Sequence, residues 1–312
     1  MVAKYSDLVD FNHNISPVVK AKVLIEALPW IREFAGHCVV IKFGGNAMVN
    51  EKLQRDFAAD IVFLRQIGIF PVVVHGGGPQ ISEMLEKLNI TSTFKAGLRV
   101  TTPEIIEIAR MVLSGKISRD IVNLINQFGP LAVGMSGEDA HVFTAKKYMP
   151  EVDGKKIDIG LVGDIDHVNT NAIINVIDNG QIPVISTIAP NSENTSEILN
   201  VNADFAAAAI ACALHAKKLM VLTDVEGYYL HWPDRHTLVQ TIGLEKLKQQ
   251  FDDIESGMRP KLRACMRAIE GGVPQAHIID GREPHSILNE VFTQEGVGTM
   301  VVPGDGMEMR WK

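Results

Sequence analysis

The first 90 residues repeat one pattern twice: a short apolar strand, a glycine turn and an amphipathic helix. Residues 38–43 form an apolar run that ends in a glycine pair, and residues 69–75 form a second run that ends in a glycine triplet. Helices are predicted after both turns, from residue 50 and from Pro79. Because apolar strands that alternate with helices are typical of sheets buried on both faces, the repeat predicts an α/β fold. Its central sheet is expected to be open and mainly parallel, with helices on both faces.

The rest of the chain continues this alternation, with one exception. Residues 140–168 alternate polar and apolar side chains between glycines, which predicts antiparallel hairpins placed on the sheet. Two lobes that share one sheet are predicted to meet near residues 185–200. The remaining predicted strands are 131–134, 182–188, 218–223, 276–280 and 299–302. The remaining predicted helices are 17–35, with Pro29 breaking or kinking it, 103–113, 116–127, 171–179, 202–215, 258–271 and 284–293.

Composition narrows the class of protein. The 312 residues are enough to bury a large core, and a net charge of −7 argues against general nucleic-acid binding, which needs a basic face. The longest uninterrupted apolar stretch, 205–214, is shorter than the about 20 residues that span a bilayer. The N-terminus lacks the apolar segment of a signal peptide, and the three cysteines form no C-x-x-C pair. We therefore expect a cytoplasmic protein without a nucleic-acid or membrane partner.

Two glycine turns follow the first two predicted strands, at the sheet edge where open α/β proteins bind their ligands. The first contains Lys42 followed by Gly44 and Gly45, and the second contains Gly77 and Gly78. Glycine lets backbone N–H groups approach an anion, and the helix that follows adds the positive end of its dipole. The alternative is that both are only tight turns. The lysine and the repetition favour a phosphate or carboxylate site.

Three short polar side chains, Asn200, Asn202 and Asp204, lie at the start of the predicted alanine-rich helix. An N-cap needs only one of them, so a functional role is favoured for the other two. An aspartate beside lysines can hold them in place and set their orientation.

Two further turns carry candidate residues. Thr223 and Asp224 close a predicted strand, where they either bond a ribose or a base or only shape the turn. Lys261 lies in the first turn of a predicted helix, where the helix dipole disfavours a cation. Its presence there indicates an anionic ligand.

Several catalytic motifs are absent. The sequence has no P-loop G-x-x-x-x-G-K-[ST], no G-x-G-x-x-G after the first strand, no H-R-D or D-F-G, no G-x-S-x-G and no H-E-x-x-H. Two isolated lysines, one aspartate and backbone anion cradles suit phosphoryl transfer, which needs positioning and neutralisation of charge. Because this chemistry needs no catalytic base, His75 is interpreted as a packing or hydrogen-bonding residue at a strand end.

Six motifs occur in the same order as in one known family. Through these motifs the chain resembles the acetylglutamate kinases of the amino-acid kinase superfamily, over about residues 20–303. K-x-G-G-N-A-M and N-x-N-A-D together are specific, since aspartokinase, carbamate kinase, glutamate 5-kinase and UMP kinase differ in these strings. The motifs are V-I-K-F-G-G-N-A-M (40–48), V-H-G-G-G-P (74–79), G-L-R-V-T (97–101), N-V-N-A-D (200–204), L-T-D-V (222–225) and G-M-R-P-K (257–261).

The resemblance implies the amino-acid kinase fold and the reaction of ATP with N-acetyl-L-glutamate to N-acetyl-L-glutamyl 5-phosphate and ADP, the second step of arginine biosynthesis. It implies that Lys42 and Lys261 stabilise the transferred phosphoryl group and that Asp204 organises both lysines. Mg²⁺ is expected with ATP, held mainly through the phosphates rather than by side chains. The implied acetylglutamate contacts are Gly77, Gly78, Arg99 and Asn200. The implied phosphate and nucleotide contacts are Gly44, Gly45, Thr223, Asp224, Gly227 and Met258.

Two residues depart from the family pattern. Glu226 stands where many members have proline, and Arg259 stands where an apolar residue is common. Both lie on the nucleotide side, so they bear on ATP affinity more than on the identity of the acyl substrate.

The resemblance also implies three regions: an N-terminal helical extension for oligomerisation (1–36), an N-lobe for acyl-substrate binding and dimerisation (37–190), and a nucleotide-binding C-lobe (191–312). Arginine-inhibited members carry an extra N-terminal helix that links dimers into a hexamer. We therefore expect a homo-oligomer, a hexamer built as a trimer of dimers, that arginine inhibits. The alternative is a helix that packs only on its own subunit.

Two other functions stay open at this point. One is another carboxylate or carbamate kinase of the same superfamily. The other is a non-catalytic sensor of arginine or nucleotide, against which the retention of Lys42, Asp204 and Lys261 argues. A nicotinamide enzyme is disfavoured because it needs the missing G-x-G-x-x-G.

Overall fold

The structure is a computed structural model that describes residues 15–48, 50–152, 154–293 and 296–304. The helices are α1 (Pro17–Phe34), α2 (Glu51–Gln66), α3 (Gly78–Lys87), α4 (Pro103–Arg110), α5 (Ser118–Asn126), α6 (Thr170–Asp178), α7 (Ala203–Ala213), α8 (Leu244–Gln250), α9 (Arg259–Glu270) and α10 (Ser286–Phe292). The strands are β1 (Cys38–Phe43), β2 (Phe70–His75), β3 (Phe94–Lys95), β4 (Leu98–Arg99), β5 (Ala132–Ser136), β6 (Phe143–Lys147), β7 (Glu151–Val152), β8 (Lys155–Lys156), β9 (Val162–Val168), β10 (Ile182–Ser186), β11 (Ile188–Pro190), β12 (Ile198–Val201), β13 (Lys218–Thr223), β14 (Thr241–Gly243), β15 (Ala276–Asp280) and β16 (Thr299–Val302).

The central sheet has eight strands in the order β14-β16-β15-β13-β1-β2-β10-β5. Every neighbouring pair is parallel except β15 and β16. Successive residues of β1 and β2 are buried on opposite faces: Val40 and Val72 belong to one core, and Ile41 and Val73 to the other. This double burial explains the continuous apolar runs, and the predicted open, mainly parallel sheet with helices on both faces is confirmed.

A second, smaller sheet carries the hairpins predicted within 140–168. Its order is β11-β12-β9-β6, and β6 pairs antiparallel with β9. Between them, β7 and β8 form a separate two-stranded antiparallel ribbon. The predicted hairpins are therefore confirmed. The same sheet brings β12, which leads into α7, beside the carboxyl edge of the large sheet.

Two predictions about helices are wrong. The predicted separate helices 103–113 and 116–127 are one continuous helical run, in which a π-helix at Met111–Ile117 joins α4 to α5. Gly115 lies inside this π-helix instead of ending a helix. The helix α1 runs through Pro29, which removes only one backbone donor, so of the predicted break or kink the break does not occur. The strands β3, β4 and β14 and the helix α8 were not predicted, because each of these elements is very short.

The N-terminal helix α1 is mostly exposed. Val18, Leu24 and Ile25 are each about two-thirds exposed, whereas Phe34 at the end of the helix is buried. Residues 1–14 of the predicted extension lie outside the described residues. No helix among those described combines the length and the apolar character that a membrane crossing requires.

Candidate active site

A cavity of about 260 Å³ opens at the carboxyl ends of β1 and β2, beside the start of α7. Eight of the predicted residues line it, and further wall residues are Gly76, Phe94, Leu113, Val162, Thr187 and Asn202. The predicted residues in the wall are Lys42, Gly44, Gly45, Gly77, Gly78, Arg99, Asn200 and Asp204. Parallel strands end at one edge of a sheet, which explains how turns far apart in sequence meet here.

The charged centre of the cavity is an ion pair between Lys42 and Asp204, whose Nζ and Oδ1 atoms lie 3.0 Å apart. Lys42 is the penultimate residue of β1, and Asp204 lies in the first turn of α7; both are buried. Asn202 is the N-cap of α7, since its Oδ1 accepts hydrogen bonds from the backbone N–H groups of Asp204 and Phe205. The capping role thus falls to Asn202, which leaves Asp204 and Asn200 available to the cavity.

Asp204 is held in its charged form by two lysines. Burial would raise its pKa, but the charges of Lys42 and Lys261, with a hydrogen bond from Lys42, lower the pKa below its usual value. Lys261 lies in the first turn of α9 and does not line the cavity itself. One carboxylate therefore balances two ammonium groups, and the excess positive charge favours an anionic ligand.

The first glycine turn is shaped by the charged residues around it. A Cβ at Gly44 would lie 2.6 Å from the Lys42 Nζ, and a Cβ at Gly45 would collide with the carboxylate of Asp224. Gly45 also has a φ of +72°, which favours glycine. The turn therefore needs glycine at Gly45, whereas a side chain at Gly44 would displace the Lys42 ammonium. Asp224, which follows β13, lies beside the turn.

Arg99, on the short strand β4, is fixed by several neighbours. Its Nη1 donates to Ser92 Oγ at 2.5 Å, and its Nη2 donates to Ser82 Oγ at 2.7 Å and to the Gly78 carbonyl at 3.1 Å. The guanidinium carbon lies 4.6 Å from the centre of the Phe94 ring. Burial lowers the pKa of Arg99 from its very high usual value. The cavity thus presents a guanidinium whose orientation is already set by its neighbours.

The remaining predicted residues lie outside the cavity. Thr223 ends β13, Gly227 packs so closely on Thr299 that a Cβ would approach its hydroxyl, and Met258 is the N-cap of α9. Of the predicted site residues, the structure thus does not bring Thr223, Asp224, Gly227, Met258 or Lys261 into the cavity wall.

The two departures from the family pattern are held by neighbouring groups. Glu226 accepts a hydrogen bond from the Tyr229 hydroxyl at 2.6 Å and lies 3.5 Å from Arg235. Arg259 donates to the carbonyls of Ile254 and Asp252. Both side chains therefore stabilise the turns that carry them.

Sequence reasoning missed the residues that position Arg99. Ser82 lies on α3, and Ser92 lies between α3 and β3. Neither is in a motif, and only folding brings them to Arg99. Phe94 and Arg99 are direct partners across the β3–β4 hairpin. Nothing in the sequence around either residue indicated that they pair. Among the described residues, no cluster of His, Cys, Asp and Glu could by itself hold a metal ion.

The chain is similar to one protein-family model and to named relatives. The family model described as "Amino acid kinase family" matches residues 37–280. The acetylglutamate kinase of Bifidobacterium adolescentis is 62% identical over 291 residues, covering 93% of this chain and 92% of the relative. The acetylglutamate kinase of Mycolicibacterium gilvum is 58% identical over 283 residues, covering 91% and 97%.

Solved structures share the fold. An N-acetylglutamate synthase from Neisseria gonorrhoeae, complexed with coenzyme A and N-acetyl-glutamate, has a TM-score of 0.79 and 26% identity over 93% of this chain. This chain spans 64% of the synthase chain. Giardia carbamate kinase, with a TM-score of 0.62 and 20% identity, covers 86% of this chain and shows the fold alone.

The sheet layout and the match of the amino acid kinase model to residues 37–280 together identify a small-molecule kinase. The chain belongs to the amino acid kinase family and, within it, to the acetylglutamate kinases.

Proposed function

We propose that this protein transfers the γ-phosphoryl group of ATP to the side-chain carboxylate of N-acetyl-L-glutamate. The products are N-acetyl-L-glutamyl 5-phosphate and ADP, and the reaction is the second step of arginine biosynthesis. The observation that carries the proposal is the cavity whose wall holds both Arg99 and the Lys42–Asp204 pair. The names of the relatives that are 55–62% identical support the substrate.

The acyl substrate is dianionic, and the cavity has cationic and N–H groups for both charges. Arg99 receives the α-carboxylate as a charge-assisted pair, and the N–H groups of Gly77 and Gly78 with the Asn200 amide contact the rest of the molecule. The side-chain carboxylate is then directed towards Lys42. It is already an anion at neutral pH, so the attack on phosphorus needs no general base.

The phosphoryl group is stabilised by positive charge on both sides. Lys42 and Lys261 neutralise the charge that spreads over the phosphoryl oxygens, and Asp204 keeps both lysines in place. The N–H groups of Gly44 and Gly45 contact the phosphates. Thr223, Asp224, Gly227 and Met258 lie towards the nucleotide. Mg²⁺ would come with ATP, held mainly through the phosphates rather than by side chains, and would add charge neutralisation there.

The regional roles follow the same proposal. Residues 37–190 bind the acyl substrate and form the dimer, and residues 191–312 bind the nucleotide. The extension 1–36 links dimers into a hexamer, and arginine inhibits the enzyme, which works in the cytoplasm. The exposed apolar face of α1 at Val18, Leu24 and Ile25 supports this, because exposed apolar patches are typical of association surfaces.

The first experiment measures ADP release with ATP and Mg²⁺ in the presence of N-acetyl-L-glutamate, L-glutamate or L-aspartate, with and without arginine. We expect turnover only with the acetylated substrate. Turnover with glutamate or aspartate instead would show a different kinase of the family. ATP binding without turnover of any acceptor would show a sensor.

A second experiment tests the N-terminal region. Deletion of residues 1–30 is expected to reduce the mass in solution from a hexamer to a dimer and to abolish the arginine response, with kcat retained. In the full-length chain, Ile25→Glu should have the same effect, because it places a charge on an exposed apolar position. Unchanged mass and unchanged arginine response in both variants would contradict the regional proposal.

A further inference from the structure

The strand β2 ends with a histidine that the proposed chemistry does not use. His75 is fully buried, and the three residues before it in the strand are all valines. Its Nδ1 lies 3.1 Å from the carbonyl oxygen of Gly76, and its Nε2 has no hydrogen-bond partner among the described residues. A buried nitrogen without a partner costs stability, so packing alone would favour another valine at this position.

The protonation state of the ring follows from its partner. A carbonyl oxygen only accepts, so Nδ1 carries the hydrogen and Nε2 is the bare nitrogen. Burial, together with the nearby charge of Arg119, lowers the pKa of His75 to about 4, although the bond to Gly76 opposes this. The ring is therefore neutral at physiological pH, and its one hydrogen-bond donor is given to the Gly76 carbonyl.

This bond determines the direction of the next peptide group. In a planar trans peptide the C=O and the following N–H point in opposite directions. The Gly76 carbonyl points to a fully buried ring, whereas Gly76, Gly77 and Gly78 line the cavity. The N–H of Gly77 therefore points away from the His75 ring, and Gly77 itself lies in the cavity wall.

The turn is held from two sides. The N–H of Gly76 donates to the Phe43 carbonyl of β1 at 3.3 Å, while the carbonyl of Gly76 accepts from His75. A Cβ at Gly77 would overlap Ile117 Cδ1 and lie 2.7 Å from Leu113 Cδ2, so this close approach favours glycine there. In the described part of the chain, the backbone N–H groups of Gly77 and Gly78 donate to no backbone carbonyl. They are free to bind an anion.

We infer that His75 is a positioning residue for the acyl substrate: its imidazole holds the Gly76 carbonyl inward and so presents the Gly77 N–H to the bound carboxylate or acetyl oxygen. The inference rests on the proposed acetylglutamate site and adds a residue that does not touch the substrate. This role of His75 differs from that of a general base, because the ring does not line the cavity and its N–H is already bonded to the Gly76 carbonyl.

The test compares two substitutions that differ in where they place a donor. In His75→Asn the new side-chain amide lies where Nδ1 was, whereas His75→Leu has no donor. Loss of one oriented hydrogen bond is expected to raise the KM for acetylglutamate about tenfold in His75→Leu. The KM for ATP should stay within about twofold, and His75→Asn should restore the KM for acetylglutamate to within about threefold of wild type.

A matched control separates positioning from packing. Val73→Ala removes buried volume from the same face of β2, so it should lower the thermal unfolding temperature without changing either KM. If His75→Leu does not fold, His75→Gln replaces it, because its amide reaches the Nε2 position and misplaces the donor.

Two outcomes would overturn the inference. One is that the KM for acetylglutamate is equal in His75→Asn and in His75→Leu, or in His75→Gln where that variant replaces His75→Leu. The other is a wild-type KM in all variants with only a lower unfolding temperature, which would make His75 a packing residue. Wild-type turnover of acetylglutamate tests the proposed function separately. If wild type uses another acyl acceptor, the same comparison is made with that acceptor.

Discussion

Two buried lysine–carboxylate pairs lie at opposite ends of neighbouring strands. Lys42 pairs with Asp204 near the carboxyl end of β1, and Lys218 pairs with Glu290 at the amino end of β13, with 3.0 Å between the charged atoms in each case. The strands are parallel, so the two pairs lie at opposite edges of one sheet. All four side chains are buried.

The surroundings of the two pairs differ. Glu290 also accepts hydrogen bonds from His277 Nδ1 at 2.7 Å and from the Val297 N–H at 2.9 Å, and Lys218 lies over the Phe34 ring. Burial would raise the pKa of Glu290, but the charge and hydrogen bond of His277, the charge of Lys218 and the Val297 N–H lower it to about 2. Protein groups thus surround this carboxylate on several sides.

Asp204, in contrast, is shared by two lysines beside an open cavity with glycines in its wall. The comparison teaches that burial and ion pairing do not identify a catalytic site. Excess positive charge that faces an open volume distinguishes the two regions.

The largest expected effect is on stability at the Lys218 pair. Glu290→Gln leaves the Lys218 ammonium buried with only a neutral partner, which should lower the free energy of unfolding by about 3–5 kcal/mol. Chemical denaturation measures this, and kcat should stay close to wild type. Lys218→Met combined with Glu290→Gln removes both charges, keeps an amide oxygen as acceptor for His277 and the Val297 N–H, and should recover much of the loss. A Glu290→Gln enzyme with normal stability but reduced kcat would mean that the Lys218–Glu290 pair acts in turnover and not in stability.

The next effect is on rate at the Lys42 pair. Lys42→Ala and Lys261→Ala should each lower kcat by about 10²–10³, because each removes a cation that we propose stabilises the transferred phosphoryl group. Circular dichroism should show an intact fold in both. Lys248→Ala, which removes a lysine paired with Glu245 and Glu270 at the surface, is the control and should leave kcat unchanged. Near-normal turnover of Lys42→Ala would contradict the assignment.

A third effect is the pH dependence of stability. The folded pKa of Glu290 is about 2, below its usual value of 4.5, so its charged form stabilises the folded state above pH 4.5. This stabilisation is lost as the pH falls from 4.5 through about 2. The stability difference between wild type and Glu290→Gln should therefore be greatest at neutral pH and shrink across this interval, as denaturation at several pH values would show. A difference independent of pH would mean that Glu290 does not act through its charge.

The smallest effect concerns acyl-substrate affinity. Arg99→Lys keeps the charge but loses the planar fork that Ser82, Ser92 and the Gly78 carbonyl orient. It should raise the KM for acetylglutamate about tenfold with a smaller change in kcat. Arg110→Lys, at an exposed arginine paired with Glu138, is the matched control and should leave the KM unchanged. An unchanged KM in Arg99→Lys would remove Arg99 from the proposed substrate site.

Much of the large sheet was predictable because its strands are short apolar runs that end at polar or glycine-containing turns. The predicted strands 38–43, 218–223, 276–280 and 299–302 match the observed β1, β13, β15 and β16 in their bounds. The failures have a different origin. Gly115 and Pro29 are local signals for a helix end, but neither ends its helix. Around Gly115 the helical run buries Val112, Leu113 and Ile117, whereas the mostly exposed α1 loses only one backbone donor at Pro29.

The sequence by itself determined the α/β alternation, the two glycine turns and the residue types of the charged centre, since these depend on local backbone geometry and on side-chain chemistry. Only the tertiary structure decided which residues meet. It placed Asp204 against Lys42 and joined Ser82 and Ser92 to Arg99. It also turned His75 inward to hold the Gly76 carbonyl. These contacts depend on the crossing of strands and helices far apart in the chain, which no local pattern records.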